Sequence, residues 1–288
     1  MTYTPATRTD SRGRPSPVGP EARSPPIRIA SWNINGMRAR QGFLLAWLAE
    51  RQPDLVGLQE LKLSDEQFPH AELEAAGYQA LCFGQKAWNG VAILARREGP
   101  AADAELTLRG LPGQEDFGSR LITARAGGLS FTTLYCPNGK SLEHADFERK
   151  LAWFEELAAH VGPGDGEDRV LCGDFNICPA PRDSWRGAED DGKIFRTEAE
   201  RERFQRILDC GFVDLFRERH PQEQIFSWWD YRGGSFHRGH GLRIDFLLGS
   251  PGVALRLEDV GIDRDWRKKL GDAKPSDHAP VTADLRAP

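Results

Sequence analysis

The chain has no apolar run long enough to cross a bilayer, no signal-like apolar core near its start, no Cys-x-x-Cys pair and no surplus of positive charge. The first two absences argue against a helical membrane anchor and a secretory signal, so a soluble, cytoplasmic protein with no membrane partner is expected. The five cysteines (Cys82, Cys136, Cys172, Cys178 and Cys210) are odd in number, widely spaced and mostly embedded in apolar runs. They read as reduced core thiols rather than as a disulfide framework or zinc ligands. The net charge of −5 does not announce a nucleic-acid binder. Bulk charge is a poor guide here, because carboxylates gathered for a cation count as negative until the cation arrives. No repeat of solenoid period is visible.

Aliphatic residues are scarce in residues 1–26, which hold six prolines and four arginines, with Asp10 and Glu21 as their only acids. Such a segment buries too little apolar surface to offset the entropy of ordering, and a disordered, weakly basic tail is predicted. No linker-like stretch interrupts residues 27–288, and a hydrophobic content of 39% suffices for a sizeable core, so one catalytic domain is expected there.

Within that domain short apolar runs alternate with helical patterns. Strands are predicted at 27–32, 54–59, 78–83, 90–95, 120–126 and 129–135, the last two joined by a Gly127-Gly128 turn. A helix over 143–160 follows from apolar Phe147, Leu151, Phe154, Ala158 and Val161, which recur every three or four residues. Further strands are predicted at 169–172, 226–229, 243–248, 254–260 and 281–285, with a charged helix over 197–209. Mixed strands and helices on this scale predict an α/β fold with two sheets packed face to face and helices outside.

Oxygen donors cluster where the apolar runs end: Asn33-Ile34-Asn35-Gly36, Gln59-Glu60, Gly173-Asp174-Phe175-Asn176, Arg243-Ile244-Asp245 and Ser276-Asp277-His278. An enzyme that brings a divalent metal and a phosphate together needs such donors and an imidazole on rigid strand ends facing one cleft. A carboxylate such as Glu60 at the end of a buried strand is costly without a partner, and a metal supplies one. Basic residues lie close to these motifs, among them Arg38, Arg40, Lys62, Lys86, Lys140, Arg232, Arg238, Arg243 and the Arg267-Lys268-Lys269 run.

Taken in order, SWNINGMRAR (31–40), PDLVGLQELK (53–62), FGQK and NGVAIL (83–94), LYCPNG (134–139), LCGDFNICP (171–179), GFVDLF (211–216), FSWWDYR (226–232), GLRIDFLL (241–248) and KPSDHAPV (274–281) span nearly the whole domain. With these motifs the chain resembles the exonuclease III family of apurinic/apyrimidinic endonucleases, within the wider endonuclease/exonuclease/phosphatase superfamily. The resemblance implies a four-layered α/β sandwich of two mixed β-sheets flanked by helices. It also implies a Mg2+-dependent hydrolase, with Mn2+ as a substitute, that incises double-stranded DNA 5′ to abasic sites and trims blocked 3′ ends, acting as a monomer. Leu61 stands where the family usually has threonine, and Trp32 where it usually has phenylalanine. Neither change removes an oxygen donor.

Carried over residue by residue, the resemblance makes Glu60 the principal metal ligand, with Asn35, Asp277, Asp174, Asn176 and His278 around the cation. Asp174 would activate the attacking water, Asn176 would position it, and Asp245 would orient His278 toward the scissile phosphate. Tyr135 would hold a phosphate oxygen, with Asn33 and Asn138 supporting the network. Trp228, Leu242 and Ile244 would form a small cavity for the extruded sugar, and Arg38, Lys86 and Arg238 would touch DNA phosphates. Two other readings stand beside this one: a phosphohydrolase of the same fold acting on phosphoinositide, sphingolipid or RNA, and an inactive DNA-binding homologue.

Overall fold

The computed structural model describes residues 26–287 with the exception of 165 and 272; the predicted tail lies outside the described residues. Two six-stranded sheets face one another. The first comprises β1 (Ile27–Asn33), β2 (Leu55–Gln59), β3 (Tyr78–Phe83), β4 (Val91–Arg96), β11 (Leu257–Ile262) and β12 (Val281–Leu285), in the order β11-β12-β1-β2-β4-β3. The second comprises β5 (Glu105–Arg109), β6 (Leu121–Ala126), β7 (Leu129–Tyr135), β8 (Arg169–Asp174), β9 (Val213–Asp214) and β10 (Asp245–Gly249), in the order β5-β6-β7-β8-β10-β9. Both sheets are mixed, since β1 runs parallel to β2 and β7 parallel to β8 while their other neighbours are antiparallel.

The helices are α1 (Met37–Arg51), α2 (His70–Ala75), α3 (Ala145–Val161), α4 (Glu198–Asp209), α5 (Leu215–Arg219), α6 (Ser235–Arg238) and α7 (Pro251–Arg256). The α1 face of Phe43, Leu44, Trp47 and Leu48 packs with Trp32, Val56 and Leu58 on the outside of the first sheet. On the outside of the second sheet, Trp153, Phe154 and Leu157 of α3 and Phe204 and Ile207 of α4 pack with Leu171, Phe246 and Leu248. The inner faces share a third core that includes Ile29, Leu55, Ile93, Phe131, Cys172 and Leu247. Alternate residues of one strand thus feed different cores, which is the period-two geometry of a strand buried on both faces. The α4 start is written locally: Thr197 Oγ1 accepts from Glu200 N while the Glu200 carboxylate accepts from Thr197 N. No helix among the described residues is long and apolar enough to cross a membrane.

Gly57 in β2 sets how closely the sheets approach, because a Cβ there would fall 2.5 Å from Thr133 Oγ1 and 2.8 Å from Cys172 Sγ. Gly173 is equally constrained: at φ 144° its missing side chain makes room for the carbonyl of Leu134 on the neighbouring strand.

Three expectations need correction. Residues 226–229 form no strand of either sheet; Trp228 makes only isolated bridges to Leu242 and His278, and the aromatic run is held by loop hydrogen bonds. Residues 254–260 begin as the end of α7, which Ser250 and Pro251 open, and become strand only at Leu257. Arg243 is not a cleft-facing cation: it is 1% exposed and precedes β10 instead of opening it. The edge strand β5 was not anticipated, because its exposed residues and register shift blur the alternation of a half-buried strand.

Candidate active site

The strand registers align the site. Asn33 pairs with Gln59 at the ends of β1 and β2, while Asp174 of β8 has Tyr135 opposite it on one side and Asp245 on the other. The chain then leaves β2 through Glu60, which takes the left-handed conformation at φ 54°, as do Asn35 (φ 48°) and Asn176 (φ 52°) just after β1 and β8. Asparagine tolerates this region, but a glutamate there is uncommon and costs on the order of 1 kcal/mol or more. The turn is over-determined by its partners: Gly36 N donates to Glu60 O at 2.7 Å and Leu61 N to Gly90 O at 3.1 Å.

Asn33, fully buried, ties the two sheets together, since its Nδ2 donates to Glu60 Oε1 at 2.8 Å and to Asp174 Oδ2 at 2.9 Å. His278 Nδ1 lies 2.9 Å from Asp245 Oδ2, which leaves Nε2 facing Asp174 Oδ2 at 3.8 Å. One donor atom from each of Glu60, Asp174 and His278 falls within 4.8 Å of the others. Asn35 and Asp277 form a neighbouring pair instead of joining that triangle. Asn35 Nδ2 donates to Asp277 Oδ1 at 2.8 Å, and Trp228 Nε1 to Asp277 Oδ2 at 3.1 Å. Asn138 reaches Asn176 Oδ1 at 3.3 Å, and Asn176 N donates to Asp174 Oδ1 at 2.9 Å. Trp228, Leu242 and Ile244 share one apolar cluster with Cys178, Trp185 and Phe195. Arg38, Lys86 and Arg238 are exposed and stand apart from these contacts.

Burial and crowding set the charge states. Burial raises Asp174 to about 7, opposed by His278 and assisted by the nearby charges of Asp245 and Glu60. Burial alone would lower His278, but Asp245 outweighs it by charge and hydrogen bond, and with Asp174 and Asp277 the imidazole is raised to about 10. Burial would likewise raise Asp277, yet the charge of His278 and the donors of Asn35 and Trp228 carry it below the usual carboxylate range. Burial pushes the Tyr135 phenol well up, and Glu60 and Asp174 push it further, so it stays protonated at neutral pH. The Arg120 guanidinium lies 4.9 Å over its ring.

Ser227, Lys150 and Glu200 escaped the sequence reading, and Lys62 and Arg243, named there only as basic residues near the motifs, have specific partners. Ser227, fully buried, donates to Asp245 Oδ2 at 2.6 Å and accepts from the backbone of Ile244 and Asp245 at 3.1 Å each. Its signal was its place in the FSWW motif, where the aromatics drew the assignment. Lys62 places Nζ 2.7 Å from Glu60 Oε2 and 2.5 Å from Asn35 Oδ1. Lys150 and Glu200, both fully buried, pair at 2.5 Å, and Lys150 Nζ also donates to Asn176 O at 2.8 Å, bracing the loop after β8. Nothing in the local sequence marks that pair, whose members lie fifty residues apart. Arg243 donates to Asp183 Oδ1 at 2.6 Å and lies 2.8 Å from Asp214 Oδ2, with Arg217 at 2.5 Å from the same Asp183 oxygen.

Buried carboxylates meeting a histidine across two sheets form the chemistry of a hydrolytic phosphate site, and the endonuclease/exonuclease/phosphatase pattern matches residues 30–278. The chain belongs to that family. It is 37% identical to exodeoxyribonuclease III of Haemophilus influenzae over 275 residues, covering 90% of this chain and all of that protein. Among solved structures it is similar to a 3′ phosphatase from Neisseria bound to a product DNA hairpin, at 38% identity and a TM-score of 0.81, covering 90% of this chain and 99% of the other. An AP endonuclease from Archaeoglobus fulgidus is 34% identical with a TM-score of 0.81 over the same shares. The chain is accordingly a nuclease-type hydrolase of the exonuclease III fold.

Proposed function

We propose that the protein is a DNA-repair phosphodiesterase that incises duplex DNA 5′ to abasic sites and also acts at 3′ ends as an exonuclease and end-cleaning enzyme. The observation that carries this reading is the convergence of Glu60, Asp174, Asp245 and His278 beside the Trp228, Leu242 and Ile244 cluster. The relatives named above, an exodeoxyribonuclease, a 3′ phosphatase and an AP endonuclease, supply the substrate class. Because every donor comes from one chain, a monomer is sufficient.

The donor set suits a hard divalent cation. Three carboxylates crowd one imidazole, and that crowding helps raise Asp174. Glu60, with Asp174 nearest, would hold Mg2+, and Asn35, Asn176 and Asp277 would engage it through water or by re-aiming their side chains, while the protonated His278 faces the same space without ligating the cation. When bound, the cation supplies Lewis-acid stabilisation of charge on the phosphoryl oxygens.

The chain's own groups then divide the work. Asp174, poised near neutrality, accepts a proton from the water that attacks phosphorus, and Asn176 holds that water in line. His278, kept protonated and oriented by Asp245, donates to a non-bridging oxygen of the scissile phosphate. Tyr135, remaining a phenol, donates a second hydrogen bond there, and Asn33 and Asn138 hold the carboxylates and amide in place. A new P–O bond to water forms as the bond to O3′ breaks; solvent protonates O3′, leaving a 3′-hydroxyl and a 5′-deoxyribose phosphate. Selection would be by shape: a baseless sugar is cheap to extrude against the apolar cluster of Trp228, Leu242 and Ile244, whereas a normal nucleotide is not. Arg38, Lys86 and Arg238 supply salt-dependent phosphate contacts.

The deciding assay uses duplex DNA with one abasic analogue and Mg2+, alongside a duplex with a recessed 3′ end. Incision immediately 5′ to the analogue is expected. A protein that leaves both DNAs intact yet hydrolyses a phosphoinositide or RNA would overturn the reading.

A further inference from the structure

A cavity of about 810 Å3 opens next to the carboxylate cluster, walled by Arg40, Tyr231, Phe236, Arg267, Lys269 and Lys274 among others. Its charge runs against that of the chain. In a protein of net charge −5, the cavity gathers three lysines and two arginines around one acid, Asp230, and that acid is paired with Arg232 at 2.7 Å. Two of the guanidiniums are underused. Arg267 is 8% exposed, and its Nε, like Arg40 Nε, is buried without a hydrogen-bond partner. Tyr231 and Phe236 supply ring faces, with the Arg267 guanidinium 4.9 Å and 5.3 Å from their centroids.

The cavity is joined to the active site by hydrogen bonds. Arg40 donates to Asn35 O at 2.6 Å and to the Tyr231 hydroxyl at 3.0 Å, and that hydroxyl donates to Pro275 O at 2.8 Å, three residues before His278. Lys268 is paired with Asp265 at 2.6 Å, but the excess of cations over acids, the two unsatisfied guanidinium Nε atoms, the aromatic rings and a volume within the ~300–1,000 Å3 of small-ligand sites suit a nucleotide with its phosphate.

We propose that this cavity is a second anchor for the DNA strand, taking a backbone phosphate and sugar beyond the nucleotide being cut. The inference rests on the DNA reading above and adds to it a determinant of how much flanking strand the enzyme needs. A strand suits the site better than a free nucleotide does, because Arg40 and Tyr231 of the cavity wall bond to Asn35 and Pro275, which adjoin the candidate active site.

The test pairs the double variant Lys269→Ala/Lys274→Ala, both exposed positions, with two abasic duplexes, one long and one trimmed to a few nucleotides around the lesion. The wild-type protein is expected to favour the long duplex. In the variant the long-to-short ratio of kcat/KM should fall about tenfold, and the slope of log KM against log salt should shrink by about 2, one for each lysine removed. An unchanged ratio and slope, or an equal loss on both duplexes, overturns the proposal. So does competitive inhibition by a deoxynucleoside monophosphate that the variant relieves while the ratio stays put, since that marks a free-nucleotide site. If the wild-type protein cuts neither duplex, the DNA reading itself has failed.

Discussion

Two buried charge clusters meet at the Arg243-Ile244-Asp245 segment, one through Arg243 and the other through Asp245, and they solve the same electrostatic problem differently. Around Asp183, two guanidiniums match two carboxylates: Arg243 bridges Asp183 and Asp214, and Arg217 adds a second cation. Burial would raise Asp183, but the charges of Arg243 and Arg217 hold it below its ordinary range. Around His278 the arithmetic does not close. Glu60, Asp174 and Asp245 crowd one imidazole and the partly exposed Lys62, and Asp174 rises to about 7. A matched cluster is complete as folded and serves shape; a mismatched one is left in want of positive charge and serves chemistry.

That contrast can be broken most severely at His278. His278→Ala should lower kcat by about 10^3-fold or more while circular dichroism and melting show a folded protein. Turnover within tenfold of wild type would place the two clusters in the same structural category. Asp183→Ala should do the reverse, since it strips a carboxylate from buried Arg243 and half-buried Arg217: stability should drop by about 3 kcal/mol in denaturant titration, with kcat largely retained in the folded fraction. The third test sharpens the contrast through protons. Asp174 is raised, so without metal it holds its proton at mildly acid pH, and Mg2+ must displace it. Calorimetry in buffers of different ionisation heats should record proton release on Mg2+ binding near pH 6.5, fading toward pH 8 and absent in Asp174→Asn. For His278, also raised, the quantity to read is stability instead of metal binding. Its raised value makes the Asp245 pair's stabilisation complete below about 6.5, the ordinary value, and lost as pH rises through about 10, so the melting-temperature gap between wild type and Asp245→Asn should narrow across that window.

Much of the fold was legible because strand ends and donors coincide in the sequence. Asn33, Glu60, Asp174 and Asp245 each sit at the edge of an apolar run, and β-register then brings them into line. The Gly127-Gly128 hairpin and the α3 stripe were readable from local rules, turn chemistry and helical period. What could not be read depends on partners distant in sequence. Lys150 and Glu200 look like surface charges on two helices, and only the packing of α3 beside α4 buries both. Arg243 looked like a cleft cation for the same reason, because its neighbours Asp183 and Asp214 come from other segments. Residues 226–229 carried strand-like composition, but backbone partners from the Leu242 and Asp277 loops claimed them first.

The Trp32 indole offers a last consequence. Its Nε1 donates to His278 O at 3.1 Å, a bond no phenylalanine could make. Together with the β1 to β12 pairing, it fastens the His278 backbone to the first strand across 246 positions of chain. His278 is therefore in place only where β12 is paired with β1, and a chain without that pairing holds no imidazole beside Asp174.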